Sequence, residues 1–111
     1  MGGRKSRSKG QRGEREVAKI LNEKLSIESK RNLAQYQEGG FDLVGIPDYA
    51  IEVKRCEKIS IEKWWDQCKE QAEDSNLIPL LFYRKSNNKW KVVMDIDTFC
   101  NLYKKENGRQ E

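Results

Sequence analysis

Asp42, Glu52 and Lys54 are polar residues set in otherwise apolar segments, and their types and spacing could do chemistry. Tyr49 to Arg55 mixes Val and Ile with alternating polarity, as a β-strand does, so side chains two apart share a face. Glu52 and Lys54 are then neighbours, about 6 to 7 Å apart along the strand. Asp42 falls on the preceding strand, and the short Gly45-Ile46-Pro47-Asp48 connection can fold that strand back as a hairpin neighbour. Carboxylates gathered at one point repel each other unless a cation holds them, and hard oxygen ligands select Mg²⁺, with Mn²⁺ as a substitute. A lysine beside two acids stays protonated, which makes it a poor general base. It can instead orient a water or stabilise charge developing on a phosphate. Taken alone, Glu-x-Lys also suits an ion pair on a solvated strand; Asp42 favours the chemical reading.

Composition narrows the alternatives. The 111 residues contain no histidine, which excludes His-based zinc sites, Ser-His-Asp and Cys-His triads, and a histidine general base. Hydrolytic chemistry must then come from Asp, Glu, Lys or metal-activated water. The length fits one domain with a real core. Charged residues make up 36%, the net charge is +4 and mean hydropathy is -0.95, so a soluble, basic protein is expected. No apolar run approaches the roughly 20 residues of a membrane span, and the charged amino terminus lacks a signal peptide's apolar segment. Cys56, Cys68 and Cys100 form an odd set without C-x-x-C spacing, which suits a reduced cytoplasmic protein.

The elements that must position these residues follow from periodicity. Residues 1–10 are glycine, serine and base with almost nothing to bury, and predict a flexible basic arm. From Gln11 a helix is expected, with Val17, Ile20, Leu21 and Leu25 as one apolar stripe and Glu14 able to face the same side. Arg31 to Gln37 is a weaker strand, and Glu38-Gly39-Gly40 suits a turn. The Asp42 and Glu52 strands come next. Ser60 can cap a helix to about Asp74 that carries Ile61, Trp64, Trp65, Cys68 and Ala72. Ile78 to Arg84 and Trp90 to Met94 read as strands joined through Lys85-Ser86-Asn87-Asn88. Asp97 could cap a last helix with Phe99, Leu102 and Tyr103, and 106–111 is a polar tail. Trp64 and Trp65 could stack on unpaired bases or bracket a junction, yet adjacent tryptophans on a helix cannot both face one way, so at least one belongs to the core or a dimer interface. Cys56 has little to activate it as a thiolate.

Asp42 followed after nine residues by Glu52-Val53-Lys54 resembles the D…(D/E)-x-K core of the PD-(D/E)XK nuclease superfamily, and the helix and strand order is similar to that fold. Lys9-Gly10-Gln11-Arg12-Gly13-Glu14-Arg15 resembles the start of archaeal-type Holliday-junction resolvases, which nominates Glu14 as a further metal ligand. Arg31-Asn32-Leu33, Gly39-Gly40-Phe41-Asp42, Ile51-Glu52-Val53-Lys54-Arg55, Trp64-Trp65-Asp66-Gln67 and Ile78-Pro79-Leu80-Leu81-Phe82-Tyr83-Arg84 look like small phage and prophage endonucleases of this superfamily. The resemblance covers roughly residues 9 to 94. The Pro47-Asp48 dipeptide imitates the family's aspartate, but it occupies a turn three residues before Glu52, where both residues are ordinary turn formers. Asp42 is therefore the expected ligand.

The resemblance implies an α/β, restriction-endonuclease-like αβββαβ core with a mixed central sheet flanked by helices, over residues 11–105. It implies a Mg²⁺-dependent endonuclease with catalytic residues Glu14, Asp42, Glu52 and Lys54. The metal ligands would be Asp42, Glu52, Glu14 and the Val53 carbonyl, and the products 5′-phosphate and 3′-hydroxyl ends. Gln67 and Gln71 are secondary candidates, because some superfamily members use a glutamine after the catalytic strand. Arg4, Lys5, Arg7, Lys9, Arg12, Arg15, Arg55, Lys58 and Arg84 are candidate DNA-backbone clamps. With no recognisable base-reading module, shape-selective cutting of branched DNA is the economical expectation, by a homodimer with two sites, in the cytoplasm of a bacterial host. A restriction-like or nicking enzyme, a noncatalytic recombination accessory of the same fold, and a protein whose carboxylates are only surface charge are the alternatives.

Overall fold

The computed structural model describes residues 10–33 and 41–107 in full, and for residues 2–9 the backbone alone. Helix α1 spans Gly2–Leu25, followed by strands β1 (Lys30–Arg31), β2 (Leu43–Val44) and β3 (Tyr49–Arg55). Helix α2 (Ile61–Ser75) then leads to β4 (Ile78–Arg84), β5 (Lys91–Val93) and helix α3 (Ile96–Asn107). The expected strands at 49–55 and 78–84 are found at those bounds.

One five-stranded sheet runs β1-β2-β3-β4-β5. β3 pairs parallel with β4, Glu52 opposite Leu81, and the other neighbours are antiparallel. The parallel pair requires a crossover, which α2 supplies. Residues 50–53 of central strand β3 are all buried, and alternation sends Ile51 and Val53 to one face and Ala50 and Glu52 to the other. On the first face Val17 and Ala18 of α1 pack with Leu43, Ile51, Val53 and Leu80. On the second, Trp64 and Cys68 of α2 cover Leu81. The sheet is thus a middle layer between two helices.

Several local expectations are corrected. The helix begins at Gly2 rather than Gln11: residues 4–9 are Arg, Lys and Ser without glycine or proline, and Gly10 and Gly13 do not interrupt the helix. Leu25 is 59% exposed, since the apolar stripe has run past the sheet by the last turn. Ser60 sits at the N-cap of α2 with no side-chain capping bond; its carbonyl accepts from Trp64 N–H instead. The helix ends on Asn76 in the left-handed conformation, where Asn76 and Leu77 N–H satisfy the carbonyls of Glu73 and Ala72. α3 starts at Ile96, one residue before Asp97, and buries only Thr98; Phe99, Leu102 and Tyr103 are exposed. Of the tail, Glu106 and Asn107 finish α3 and 108–111 lie outside the described residues, as do 34–40 of the proposed strand and glycine turn. Trp64 is core against Tyr83, ring centroids 6.2 Å apart, while Trp65 is half-buried.

Candidate active site

Asp42 lies just ahead of β2, and its backbone is pinned on both sides. Its N–H donates to the Ile51 carbonyl at 2.8 Å and its carbonyl accepts from Asn32 N–H at 2.8 Å. The side chain is fixed as well, because Oδ2 accepts a 2.8 Å hydrogen bond from the Val53 N–H. That bond draws the Asp42 carboxylate to the residue between Glu52 and Lys54. Lys54 Nζ stands 3.7 Å from Glu52 Oε2. Asp48, by contrast, is exposed in the turn at φ +75°, away from the buried carboxylates, and contributes its carbonyl to Ile78 N–H.

Glu14 arrives from α1, which approaches β3 closely at Gly13. A Cβ there would stand 3.1 Å from Arg55 Cβ and 3.3 Å from the Trp90 ring, so glycine lets the helix settle on the strand. Glu14 is only 8% exposed and Oε1 accepts from Arg31 Nε at 2.8 Å. Asp42 and Glu52 are each 7% exposed. Three buried acids therefore share one region with one lysine and one arginine.

The electrostatic consequence is large. Burial first, then the Glu52 charge and more weakly Glu14, push the Asp42 carboxyl up to about 8, against the Val53 N–H and Lys54. Burial also raises Glu52, with Glu14 adding to the rise and Lys54 opposing it. Buried like charges hold protons that isolated carboxyls would release, and a divalent cation would displace those protons. Among the described residues no three acidic or thiol side chains are already drawn up as a finished metal cage. The donors nevertheless fit a hard cation, being carboxylate oxygens that are buried, adjacent and mutually repulsive. Cys68 beneath the strands is not a competing ligand. Burial and then the Glu52 charge push its thiol to about 12, and it donates weakly to the Leu80 carbonyl at 3.5 Å.

The remaining site expectations are dispersed. Arg55 and Arg84 converge on Glu16, which sequence reasoning missed. Arg84 Nη2 lies 2.9 Å from Glu16 Oε1, Trp90 Nε1–H donates to the same oxygen at 3.0 Å, and Arg55 Nε is 4.0 Å from Oε2. Burial works to raise the Glu16 carboxyl, but the Arg84 and Trp90 hydrogen bonds and the two guanidinium charges outweigh it and hold it low. Arg84 also stacks 5.4 Å from the Trp90 ring centroid. These contacts clamp α1 to β3 and β4 whatever else the arginines do. Arg12, Arg15 and Lys58 are exposed, while the side chains of Arg4, Lys5, Arg7 and Lys9 lie outside the described residues. Gln67 is exposed on α2 and Gln71 is half-buried one turn later. Arg31 was also missed; its place in the Arg-Asn-Leu motif was the signal that could have nominated it.

A mixed five-stranded sheet between helices, with an aspartate, a Glu-x-Lys pair and a helix-borne glutamate meeting at its central strand, is the arrangement of the PD-(D/E)XK nucleases. The chain belongs to the family described as Phage putative PDDEXK endonuclease, whose profile matches residues 5–110. It is similar to Protein D14 of Escherichia phage T5, at 32% identity over 113 residues, covering 81% of this chain and 71% of that protein. Its fold is similar to that of Archaeoglobus fulgidus Hjc, a Holliday junction resolvase from an archaeal hyperthermophile. The TM-score is 0.56 at 20% identity, covering 78% of this chain and 72% of the other. Among the described residues no helix is long and apolar enough to cross a membrane.

Proposed function

We propose that this endonuclease cuts branched DNA, with a Mg²⁺-dependent site built from Asp42, Glu52 and Lys54. The observation that carries the reading is the buried pair Asp42 and Glu52, raised in pKa by burial first, with the Glu52 charge adding to the rise of Asp42 and Glu14 to that of Glu52, and with Lys54 at 3.7 Å from Glu52. Asp42 and Glu52 would hold the cation, with Glu14 and the Val53 carbonyl as further donors. When bound, Mg²⁺ or Mn²⁺ supplies charge neutralisation at the scissile phosphate and a water acidic enough to attack at neutral pH. The protein's own residues do the rest. The Val53 N–H keeps Asp42 from rotating away, and Lys54 presents its ammonium to the nonbridging phosphate oxygen on which charge develops. Arg31 holds Glu14 at the edge of the site, so phosphate and carboxylate would compete for one guanidinium.

Branched DNA is favoured over a defined sequence because, among the described residues, no helix-turn-helix or finger stands beside the nuclease fold to read bases. The fold shared with a Holliday junction resolvase supports the same choice. Opposed cuts in a symmetric junction need two sites, hence a homodimer. Sedimentation of a strict monomer, both free and on DNA, would contradict that part.

The test is cleavage of a labelled four-way junction beside a linear duplex of the same sequence, in Mg²⁺. Symmetric nicks in the junction, formed at least about tenfold faster than any cut in the duplex, are expected; this ratio corresponds to about 1.4 kcal/mol of transition-state preference. Equal cutting of both substrates would indicate a general or nicking endonuclease. Junction binding without cleavage in Mg²⁺ or Mn²⁺ would indicate a noncatalytic accessory.

A further inference from the structure

Beside the acidic cluster, α1 and the chain entering β1 enclose an open groove of about 530 Å³. Its walls carry Arg15 and Lys19 from α1 and Lys30 and Arg31 from β1, against one acid, Glu23. Its base is rigid. Ser29 N–H donates to Asn22 Oδ1 at 2.7 Å, and Asn22 Nδ2 donates back to the Ser29 carbonyl at 3.0 Å, which locks the helix to the strand. Arg31 links the groove to the site, since it both lines the groove and donates to Glu14.

Four cations on a fixed groove would repel one another if nothing neutralised them. Arg31 is paired with Glu14, but Arg15, Lys19 and Lys30 are in no ion pair among the described residues. Exposed lysines often serve only solubility. Here they line one groove together with Arg31, which touches Glu14 of the carboxylate cluster, and a polyanion with regularly spaced charges suits such a groove.

We propose that this groove seats the sugar-phosphate backbone of the DNA strand on one side of the scissile phosphate, with Arg15, Lys19 and Lys30 as its phosphate contacts. The inference rests on the nuclease reading above and deepens it. It assigns Lys19 and Lys30 a role that their sequence context does not indicate, and it gives the strand a direction of approach along α1. Arg31 marks the boundary between groove and cluster.

The test is the salt dependence of binding of a fluorescein-labelled four-way junction, measured by anisotropy between 50 and 300 mM KCl without divalent metal. Arg15→Gln/Lys19→Gln/Lys30→Gln is compared with a control of equal charge, Lys63→Gln/Lys104→Gln/Lys105→Gln, on α2 and α3 outside the groove. Each phosphate contact contributes about 0.9 to the slope of log K against log salt. The groove variant is expected to lose about 2.7 from that slope and the control less than about 1, with both melting as the wild type does. If the triple variant fails to fold, Lys30→Gln alone should lose about 0.9. Equal slopes in groove variant and control would overturn the groove while leaving the nuclease reading intact, provided the wild type cleaves the junction in Mg²⁺. A wild type that neither binds nor cleaves would overturn both.

Discussion

Asp42→Asn is expected to abolish DNA cleavage, by about 10³-fold or more, while raising the melting temperature of the metal-free protein at pH 8. The two effects share one cause. The folded protein holds the Asp42 proton up to about pH 8, against an ordinary value of 3.8. Between those values the folded state binds more protons than the unfolded state, so this group's contribution to stability falls as pH rises from about 4 to about 8. The fall is at most about 1.4 kcal/mol per pH unit. Asparagine never ionises, and its amide oxygen can still accept from Val53 N–H, so the variant escapes most of the loss. Melting followed by circular dichroism in EDTA at pH 6 and pH 8 checks this. The wild type should lose several degrees between the two, at roughly 4 °C or more per kcal/mol, and Asp42→Asn clearly less. A residual slope from Glu52 is expected in both, because burial raises that carboxyl too. Equal losses in the two proteins would contradict the account of the site's electrostatics.

Gly45→Ala is expected to cost about 2 to 4 kcal/mol, measured by urea unfolding. Gly45 has φ +94°, and a Cβ there would lie 2.5 Å from the Glu28 carbonyl oxygen and 2.9 Å from Ser29 Cα. Both obstacles are backbone, so neither can swing aside. The turn sets the register of Leu43 against Ile51 and thereby the place of Asp42, so residual folded protein should also cleave more slowly. Gly13→Ala makes the contrast, since alanine gains about 1 kcal/mol of helix propensity against tight contacts with Arg55 and Trp90. The outcome there is close to neutral. A Gly45→Ala protein within about 0.5 kcal/mol of wild type would show that the α1 to β1 connection yields more easily than its hydrogen bonds indicate.

The parts of the fold legible in the sequence are those governed by local periodicity. Alternation located β3, an apolar run located β4, and the Trp64, Cys68 and Ala72 spacing located the buried face of α2. Asp42 could be separated from Asp48 because one interrupts an apolar segment and the other sits in a turn, and their burial differs accordingly. What could not be read depends on distant partners. Glu16 meets Arg84 at a sequence separation of 68 and Arg31 meets Glu14 at one of 17, and neither pairing leaves a periodic trace. Arg55 and Arg84 look like free cations in sequence because nothing local announces the glutamate that engages them. The apolar residues of α3 show the opposite error, since Ile96, Phe99 and Tyr103 have core composition but remain more than half exposed. Helical amphipathicity indicates a face to be covered without naming its cover.

The measurement that tests the central claim most directly is the metal dependence of cleavage of a labelled four-way junction by wild type and Glu52→Gln. Glutamine keeps the size and buried position of Glu52 and removes only the charge that faces Lys54 and Asp42. Nicks that form in Mg²⁺, vanish in EDTA and are absent from Glu52→Gln are the predicted result. Undiminished cutting by Glu52→Gln, or a wild type that binds the junction and leaves it intact in both Mg²⁺ and Mn²⁺, would contradict it.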